Sequence, residues 1–587
     1  MRTVALLIAL VATFCPEART QDTPNLPEGF PGLAAGRAPQ VEIAWNRLYR
    51  PDEIDGHFER LAARWPDLLS STVLGESVEG RPIRVWTLND PATGADTTKP
   101  AMWIDGNVHG NEVQASETTL YVAWYLLENR DGNPRVRELL ERAAFYFQPS
   151  INPDGRAAWF RGPSTASSSR TGQRPTDQDR DGAVDEDGPN DLDGDGHITR
   201  MRKYVPGEGD YRLDPDDPRI MLRVDTSAGE RGDWVMLGRE GLDDDGDGRI
   251  DEDGPGGYDM NRAWPSGWQP PHVQYGAGPY PLFWPETRLV ADFIADRPNI
   301  AAAQSFHNSG GMMLIGPGYK EYGDYPRSDM AVYDEIADDG EAMLPHYDYL
   351  VIWEDLYSVY GGFVNWTYEG LGILSFTNEL WSSKRNSPDE RIALDSEGRH
   401  RFDDLLLMSA GFRPWTEVEH PTYGMVEVGG FTKDVGRVPP SFLLEEELHR
   451  NALFCIRHAE AMPEVVIDNP ELTDLGSGLI AVDVVVRNLR EIPSRTAMAA
   501  QRQVGLPDVY ELSGPGVEVV ASGIRSDRFR PDRIELVEFQ PERIVREQGL
   551  GRRGEIRLRF VVRGSGVAEL RFSSEKARDV TLQFRID

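Results

Sequence analysis

The stretch Trp103-Ile104-Asp105-Gly106-Asn107-Val108-His109-Gly110-Asn111-Glu112 limits the fold of this chain more than any other. An apolar run of strand length breaks at Gly106-Asn107, and a helical spacing of Val113, Leu120, Trp124 and Leu127 follows at once. A strand that turns tightly into a helix is half of a βα crossover, which points to a sheet with helices packed on its faces. The turn also delivers an imidazole, His109, and a carboxylate, Glu112, three residues apart. Both can reach one metal ion, but a catalytic zinc typically takes three protein ligands and keeps a position open. The remainder of the chain has to supply the third.

The same alternation recurs. Ile54, Phe58, Leu61 and Trp65 mark a helix that Pro66 stops, and a strand follows at 83–88. A strand at 145–151 runs into Asn152-Pro153-Asp154-Gly155, and Pro285-Glu286-Thr287-Arg288 opens another helix. Strands at 301–306 and 371–376 end at His307 and at Thr377-Asn378-Glu379. Functional groups on α/β sheets gather at the carboxyl ends of strands. His307 is therefore the natural third ligand, and Glu379 is a carboxylate placed to move a proton. Leu444, Leu448, Ala452, Cys455 and Ala459 mark a late helix, on which His458 is expected to face solvent. The predicted fold class is α/β, a mixed central sheet with helices on both faces. From about residue 464 short β runs separated by turns predict an all-β, sandwich-like accessory domain over 464–587.

At 587 residues, two or three domains are expected. A net charge of −35 excludes nucleic acid as a partner. Arg2 precedes the apolar run 4–12, which has the length of a signal-peptide core and is short for a membrane span. Residues 1–20 are read as a secretory signal, 21–45 as a linker, and the protein as secreted or periplasmic with no membrane span. Phe14 is bulky where a lipid anchor at Cys15 would need a small residue. With the signal removed only Cys455 remains, so no disulfide can form within the chain. Packing, or bound ions, must stabilise it.

Residues 160–257 read as a long irregular insertion. Three segments in it carry carboxylates at positions 1, 3 and 5 and glycine at 6: Asp177, Asp179 and Asp181; Asp191, Asp193 and Asp195; Asp243, Asp245 and Asp247. This is the first half of a calcium-binding loop, although none has Glu at position 12. Asp185, Glu186, Asp187, Asp251 and Asp253 could complete the shells. Sixteen acidic residues lie in 177–195 and 243–253, so without a cation these loops repel themselves. Structural Ca2+ is expected here.

Several stretches, in order, resemble zinc metallocarboxypeptidases of the carboxypeptidase A-like (funnelin) family, in a bacterial-type secreted form with an acidic insertion. They are GESVEGRPI at 75–83, HGNE at 109–112, NPDG at 152–155, DMNR at 259–262, PETR at 285–288, SFHNS at 305–309 and YSVYGGFVNWTYEGLGILSFTNEL at 357–380. The resemblance implies a zinc carboxypeptidase domain over 46–463, with His109, Glu112 and His307 binding zinc. It makes Glu379 the general base for a zinc-activated water and then the proton donor to the leaving amine. Asn261 and Arg262 would hold the substrate's C-terminal carboxylate, Tyr357 would close over it, and Val364 would read the terminal side chain and favour an apolar one. The family also uses an arginine shortly after the NPDG turn to stabilise the oxyanion; across the insertion, Arg202 is expected in that role, with Arg200 and Arg161 as alternatives. The implied activity is hydrolysis of C-terminal residues from peptides or proteins. Two alternatives stand beside it: a murein peptidase or amide deacylase on the same zinc site, and a catalytically inactive, calcium-stabilised binding protein.

Overall fold

The computed structural model describes residues 38–587 apart from 166, 179, 390–392, 527–529, 531 and 532. The expected signal segment, Cys15 and most of the expected linker lie outside the described residues, as does Asp179. Eight strands build the central sheet: β1 (Leu69–Glu76), β2 (Pro82–Leu88), β3 (Ala101–Gly106), β4 (Ala144–Gln148), β5 (Ile300–Asn308), β6 (Met312–Ile315), β7 (Asp348–Val351) and β8 (Leu374–Leu380). Their order is β1-β2-β4-β3-β5-β8-β6-β7. The middle four are parallel, while β2 and β6 flank them antiparallel, so the sheet is mixed as expected.

Strand side chains alternate between faces, and each face meets its own helices. Met102 and Ile104 of β3 join one core with α1 (Pro51–Arg64), α2 (Gln114–Asn129) and α3 (Ser441–Glu460). Ala101 and Trp103 join the other, which buries Val290, Phe293 and Ile294 of the helix Pro285–Ala295. The middle strands β4, β3 and β5 are buried at every position, because both faces are covered. Register then places the functional ends side by side. Gly106 at the end of β3 pairs with Phe306, and Glu379 of β8 pairs with His307.

The insertion is irregular at its acidic ends but not in its middle. Arg200–Gly209, Tyr211–Leu213, Met221–Arg223 and Gly232–Arg239 are strands, joined by a hairpin from much later in the chain, Phe412–His420 and Gly424–Phe431. Met201 packs between Val426 and Val428 under this second sheet. The partner strands are over two hundred residues away, so local pattern could not reveal the pairing.

Residues 38–45 are not a linker either. Trp45 is buried against Tyr121 and Trp124 of α2, and Glu128 accepts from the Val41 amide at 2.7 Å. At the other end ten described strands from Val465 onward form two sheets facing one core. Val482, Val484 and Val486 of one sheet meet Leu570, Phe572 and Tyr510 of the other, the alternation of a sandwich. The sandwich is docked closely. Lys576 donates to the carbonyl of Ile300, at the start of β5, at 2.7 Å, and Asp329 accepts from the amides of Ala497 and Met498 at 3.0 Å each.

Candidate active site

Asn107 makes the turn after β3 at φ 58°, a left-handed conformation that asparagine tolerates well. Its side-chain amide donates to the carbonyls of His109 at 2.7 Å and Gly110 at 3.2 Å, which fixes the turn from inside. Gly110 is required by close approach: a Cβ there would lie 2.3 Å from the Ser169 carbonyl and 2.5 Å from the Cα of Gly155. The NPDG turn therefore lies directly against the HGNE turn. Asn152 caps its own helix by accepting from the Gly155 amide at 2.8 Å and holds the Thr171 carbonyl at 3.0 Å. The Gly110 amide donates to the Arg170 carbonyl at 3.0 Å. Three separate pieces of chain are locked together at the carboxyl end of β3.

His109, Glu112 and His307 are all at least 97% buried, and each offers a ligand atom within 4.8 Å of the others. Glu112 Oε1 lies 2.8 Å from His109 Nδ1, and Oε2 lies 2.9 Å from His307 Nδ1. Asp259 accepts from the other nitrogen of His109, Nε2, at 2.9 Å. With the imidazole proton on Nε2, toward Asp259, Nδ1 is the ring nitrogen left to face Glu112. Neither ring nitrogen of His307 has a hydrogen bond of good geometry among the described residues. Two imidazoles and a carboxylate converge, a donor set that fits a cation and matches the nitrogen-and-oxygen preference of zinc. Burial alone would raise the Glu112 pKa, but His109 and His307 hold it well below the usual range.

Beside this trio stands Glu379, brought there by the β5–β8 register. Burial, then the charge of Glu112, push its carboxyl up to about 7, against His307, Arg170 and Arg437. A dication bound beside it would oppose that rise. Asp259 is held well below the usual range by His109, Arg262 and Arg170, which outweigh its burial.

Asn261 and Arg262 follow Asp259 in a short 3-10 turn, with the Asn261 amide bonded to Asp259 Oδ1 at 2.7 Å. Asn261 Oδ1 accepts from Phe363 N at 2.8 Å, and the half-buried Arg262 donates to the Asn261 carbonyl at 2.8 Å. Arg262 has no carboxylate ion pair among the described residues, unusual for a guanidinium so placed. Gly361, at φ 67°, lets the 357–362 loop press on the backbone of Arg262, where a Cβ would meet its carbonyl at 2.4 Å. Tyr357 is 61% exposed at the start of that loop. Val364 is buried in a small apolar cluster with Leu314, Ile352 and Val359.

Arg202 is not at this site. It is stacked between Trp234 and Trp415, at 4.5 and 4.2 Å from their rings, and paired with Glu427 at 2.7 Å. It stabilises the second sheet instead. Arg200 is exposed, and Arg161 pairs with Glu79 at 3.0 Å. The arginine that reaches His109 and Glu112 is Arg170, fifteen positions after Gly155. It lies 3.1 Å from Glu112 Oε1, 3.2 Å from Asp259 Oδ2 and 3.0 Å from His109 Nε2. Its place shortly after NPDG and before the acidic repeats is the signal for it in the sequence. Arg437 also arrives, donating to the Asn308 carbonyl at 3.3 Å and approaching Glu112 at 3.5 Å. It comes from the loop after the 412–431 hairpin, and no motif announces it.

In the insertion, Asp191, Asp193 and Asp195 converge, as do Asp243, Asp245 and Asp247. Asp177, whose expected partner Asp179 lies outside the described residues, accepts from the amides of Arg180 and Gly182, as Asp243 does from Gly246 and Gly248. Asp181 converges with Glu186 and Asp245.

Comparison with known proteins bears on this arrangement. A family model described as zinc carboxypeptidase matches residues 54–193 and 227–399, more than half of the chain. A domain family of unknown function matches 464–585. Carboxypeptidase D of Mus musculus is 31% identical over 136 residues, 23% of this chain and 10% of that protein. Carboxypeptidase B of Astacus astacus is 34% identical over 116 residues, 20% of this chain and 36% of that protein. The matched segment thus spans between a tenth and about a third of these two relatives. Among solved structures, carboxypeptidase A from Helicoverpa armigera aligns over 72% of this chain and 76% of its own, at 16% identity and TM-score 0.44. Thrombin-activatable fibrinolysis inhibitor aligns over 72% and 79%, at 17% identity and TM-score 0.43.

Proposed function

Because the chain belongs to the zinc carboxypeptidase family, we propose that it is a secreted zinc metallocarboxypeptidase that hydrolyses C-terminal residues from peptides. The observation that carries this reading is the convergence of His109 Nδ1, Glu112 and His307 Nδ1 within 4.8 Å, with Glu379 on the neighbouring strand. His109, Glu112 and His307 would hold the zinc, which supplies Lewis acidity toward a carbonyl and a water molecule when bound.

The chain's own residues do the rest. Arg262 presents a planar fork without an ion-pair partner among the described residues, suited to bidentate pairing with a carboxylate, and Asn261 lies beside it. Together they fix the last residue of a peptide and so the position of its last amide bond. Glu379, whose pKa is near neutrality before a cation binds, takes the proton of the attacking water and delivers it to the leaving amine. Arg170 supplies a fixed positive charge where negative charge develops on the carbonyl oxygen. Tyr357, exposed at the loop edge, can swing over the bound end. The apolar cluster around Val364 favours an apolar terminal side chain.

For the acidic insertion we propose structural calcium, supported by the converging carboxylates there. Glu379→Gln tests the mechanism: zinc content is expected to stay stoichiometric while kcat falls by about 100- to 10,000-fold. Full, chelator-sensitive turnover by this variant would rule the mechanism out. Cleavage of a murein peptide or N-acyl amino acid by the wild type, with no action on ordinary peptides, would favour the deacylase alternative.

A further inference from the structure

The acidic insertion contains a repeat that its DxDxDG signature only partly reveals. Residues 177–188 read DQDRDGAVDEDG and residues 243–254 read DDDGDGRIDEDG, identical at eight of twelve positions. The copies share a backbone course. The fourth residues, Arg180 and Gly246, have φ 75° and 87°; the sixth, Gly182 and Gly248, 104° and 94°; the ninth, Asp185 and Asp251, 55° and 56°. The eleventh residues, Asp187 and Asp253, form an antiparallel bridge that joins one copy to the other. Cross-copy bonds reinforce it: Asp253 accepts from the amides of Gln178 at 2.8 Å and Asp185 at 3.1 Å.

Asp187 does not share that satisfaction. It is fully buried, and neither of its oxygens closes a hydrogen bond of good geometry with any described residue. The same holds for both oxygens of Glu186, Asp251 and Glu252, so eight inaccessible carboxylate oxygens close no hydrogen bond of good geometry with the described residues. Burial, then neighbouring carboxylates, push Glu252 and Asp251 up to about 7. Leaving such groups ionised and unpaired is costly, and oxygen-only ligands in this number suit calcium, whose shell takes six to eight. Besides the set Asp243, Asp245 and Asp247 within the second copy, two convergent sets cross the repeat. Asp187 of the first copy meets Asp245 and Glu252 of the second, and Asp181 and Glu186 of the first meet Asp245 of the second, ligand atoms lying within 4.8 Å in each set.

We propose that the two copies form one calcium centre with two ion positions, the first held by Asp187, Asp245 and Glu252, the second by Asp181, Glu186 and Asp245. This rests on the calcium reading above and adds that the ions tie one copy to the other rather than filling three separate loops. The segment at 191–196 stands apart. Its ninth to eleventh positions are Thr199, Arg200 and Met201, and Asp195 pairs with Arg413 at 3.3 Å. The centre also has a mechanical consequence. Asp185 and Asp253 fix the amides of Thr176 and Gln178, a few residues after Arg170, so ordering the pair braces the segment that carries Arg170 into the active site.

The test uses the full-length zinc-loaded protein, dialysed free of calcium with zinc content checked, and calcium as the titrant in calorimetry and thermal melting. The wild type is expected to take up two ions at this centre and to melt higher when they bind. Asp187→Asn and Glu252→Gln lie in different copies, yet each is expected to abolish the same one of these two binding events, and the double variant to be no worse than either alone. Without calcium, Asp187→Asn is expected to melt above the wild type, because one buried charge is gone; a purely structural Asp187 would give the opposite sign. Asp193→Asn is expected to leave both events unchanged. If Asp187→Asn fails to fold, Glu252→Gln carries the same comparison. Two binding events unchanged in Glu252→Gln would overturn the shared centre while leaving calcium binding intact. No calcium binding and no melting shift in the wild type would overturn the calcium reading itself.

Discussion

Asp259→Asn keeps the shape of the side chain that orients His109 and removes its charge. Asp259 Oδ1 accepts from His109 Nε2 at 2.9 Å and from Asn261 N at 2.7 Å, while Oδ2 meets Arg170 at 3.2 Å. Asparagine offers one oxygen in place of two. If that oxygen stays on His109 and Asn261, the new NH2 faces the Arg170 guanidinium; if it flips, the NH2 faces two donors. Either way a donor opposes a donor, and one charged hydrogen bond worth about 1.5–3 kcal/mol is lost. Outer-shell partners of metal-bound histidines typically cost 10–100-fold when removed. Zinc affinity, measured by competition against a chromogenic chelator, is expected to fall by about 10–100-fold. At saturating zinc, kcat/KM is expected to stay at least about tenfold low, because Arg170 and Asn261 lose the same anchor. Zinc affinity within twofold of wild type, with unchanged kcat/KM, would refute the orienting role.

Arg170→Ala is expected to lower kcat by about 100- to 1000-fold with zinc content intact, whereas Arg202→Ala leaves kcat unchanged and lowers the melting temperature through lost stacking on Trp234 and Trp415. Steady-state kinetics and melting on both variants separate the two. His458 gives a pH dependence: burial drops its pKa from 6.5 to about 3. The unfolded chain therefore binds the extra proton between those values, so the stability from keeping this ring neutral is present above about pH 6.5 and lost as pH falls, at up to about 1.4 kcal/mol per pH unit. Denaturant unfolding from pH 7.5 to 4.5 is expected to show that slope as the difference between wild type and His458→Gln; parallel profiles would contradict it.

The central sheet and the convergence of His109, Glu112 and His307 were legible in the sequence because strand ends coincide with chemistry. Each apolar run stops at a residue that cannot be explained as core, His109, His307 or Glu379, and parallel register then brings those stops together. What escaped depends on distant partners. Arg202 carries an arginine's chemistry, but only the Trp234 and Trp415 planes beside it reveal its use. The 412–431 hairpin contains Pro414 and alternating charges, and it pairs with Arg200–Gly209 across more than two hundred residues. On α3 the apolar stripe at 444, 448, 452, 455 and 459 was readable, but a second stripe at Glu447, Asn451, Phe454 and His458 is buried too. Its polar members pair inward: Glu447 accepts from Trp381 N at 3.0 Å, and His458 meets Gln304 at 3.3 Å. Polarity alone made His458 look exposed.

One measurement tests the account most directly. The zinc-loaded protein is given two peptides of identical sequence ending in leucine, one with a free C-terminal carboxylate and one amidated, and released leucine or leucinamide is quantified. Release from the free-ended peptide alone, lost on zinc removal and restored by zinc, is the result expected if Arg262 and Asn261 hold the carboxylate beside His109, Glu112 and His307. Equal cleavage of both peptides, or release that persists without zinc, would contradict it.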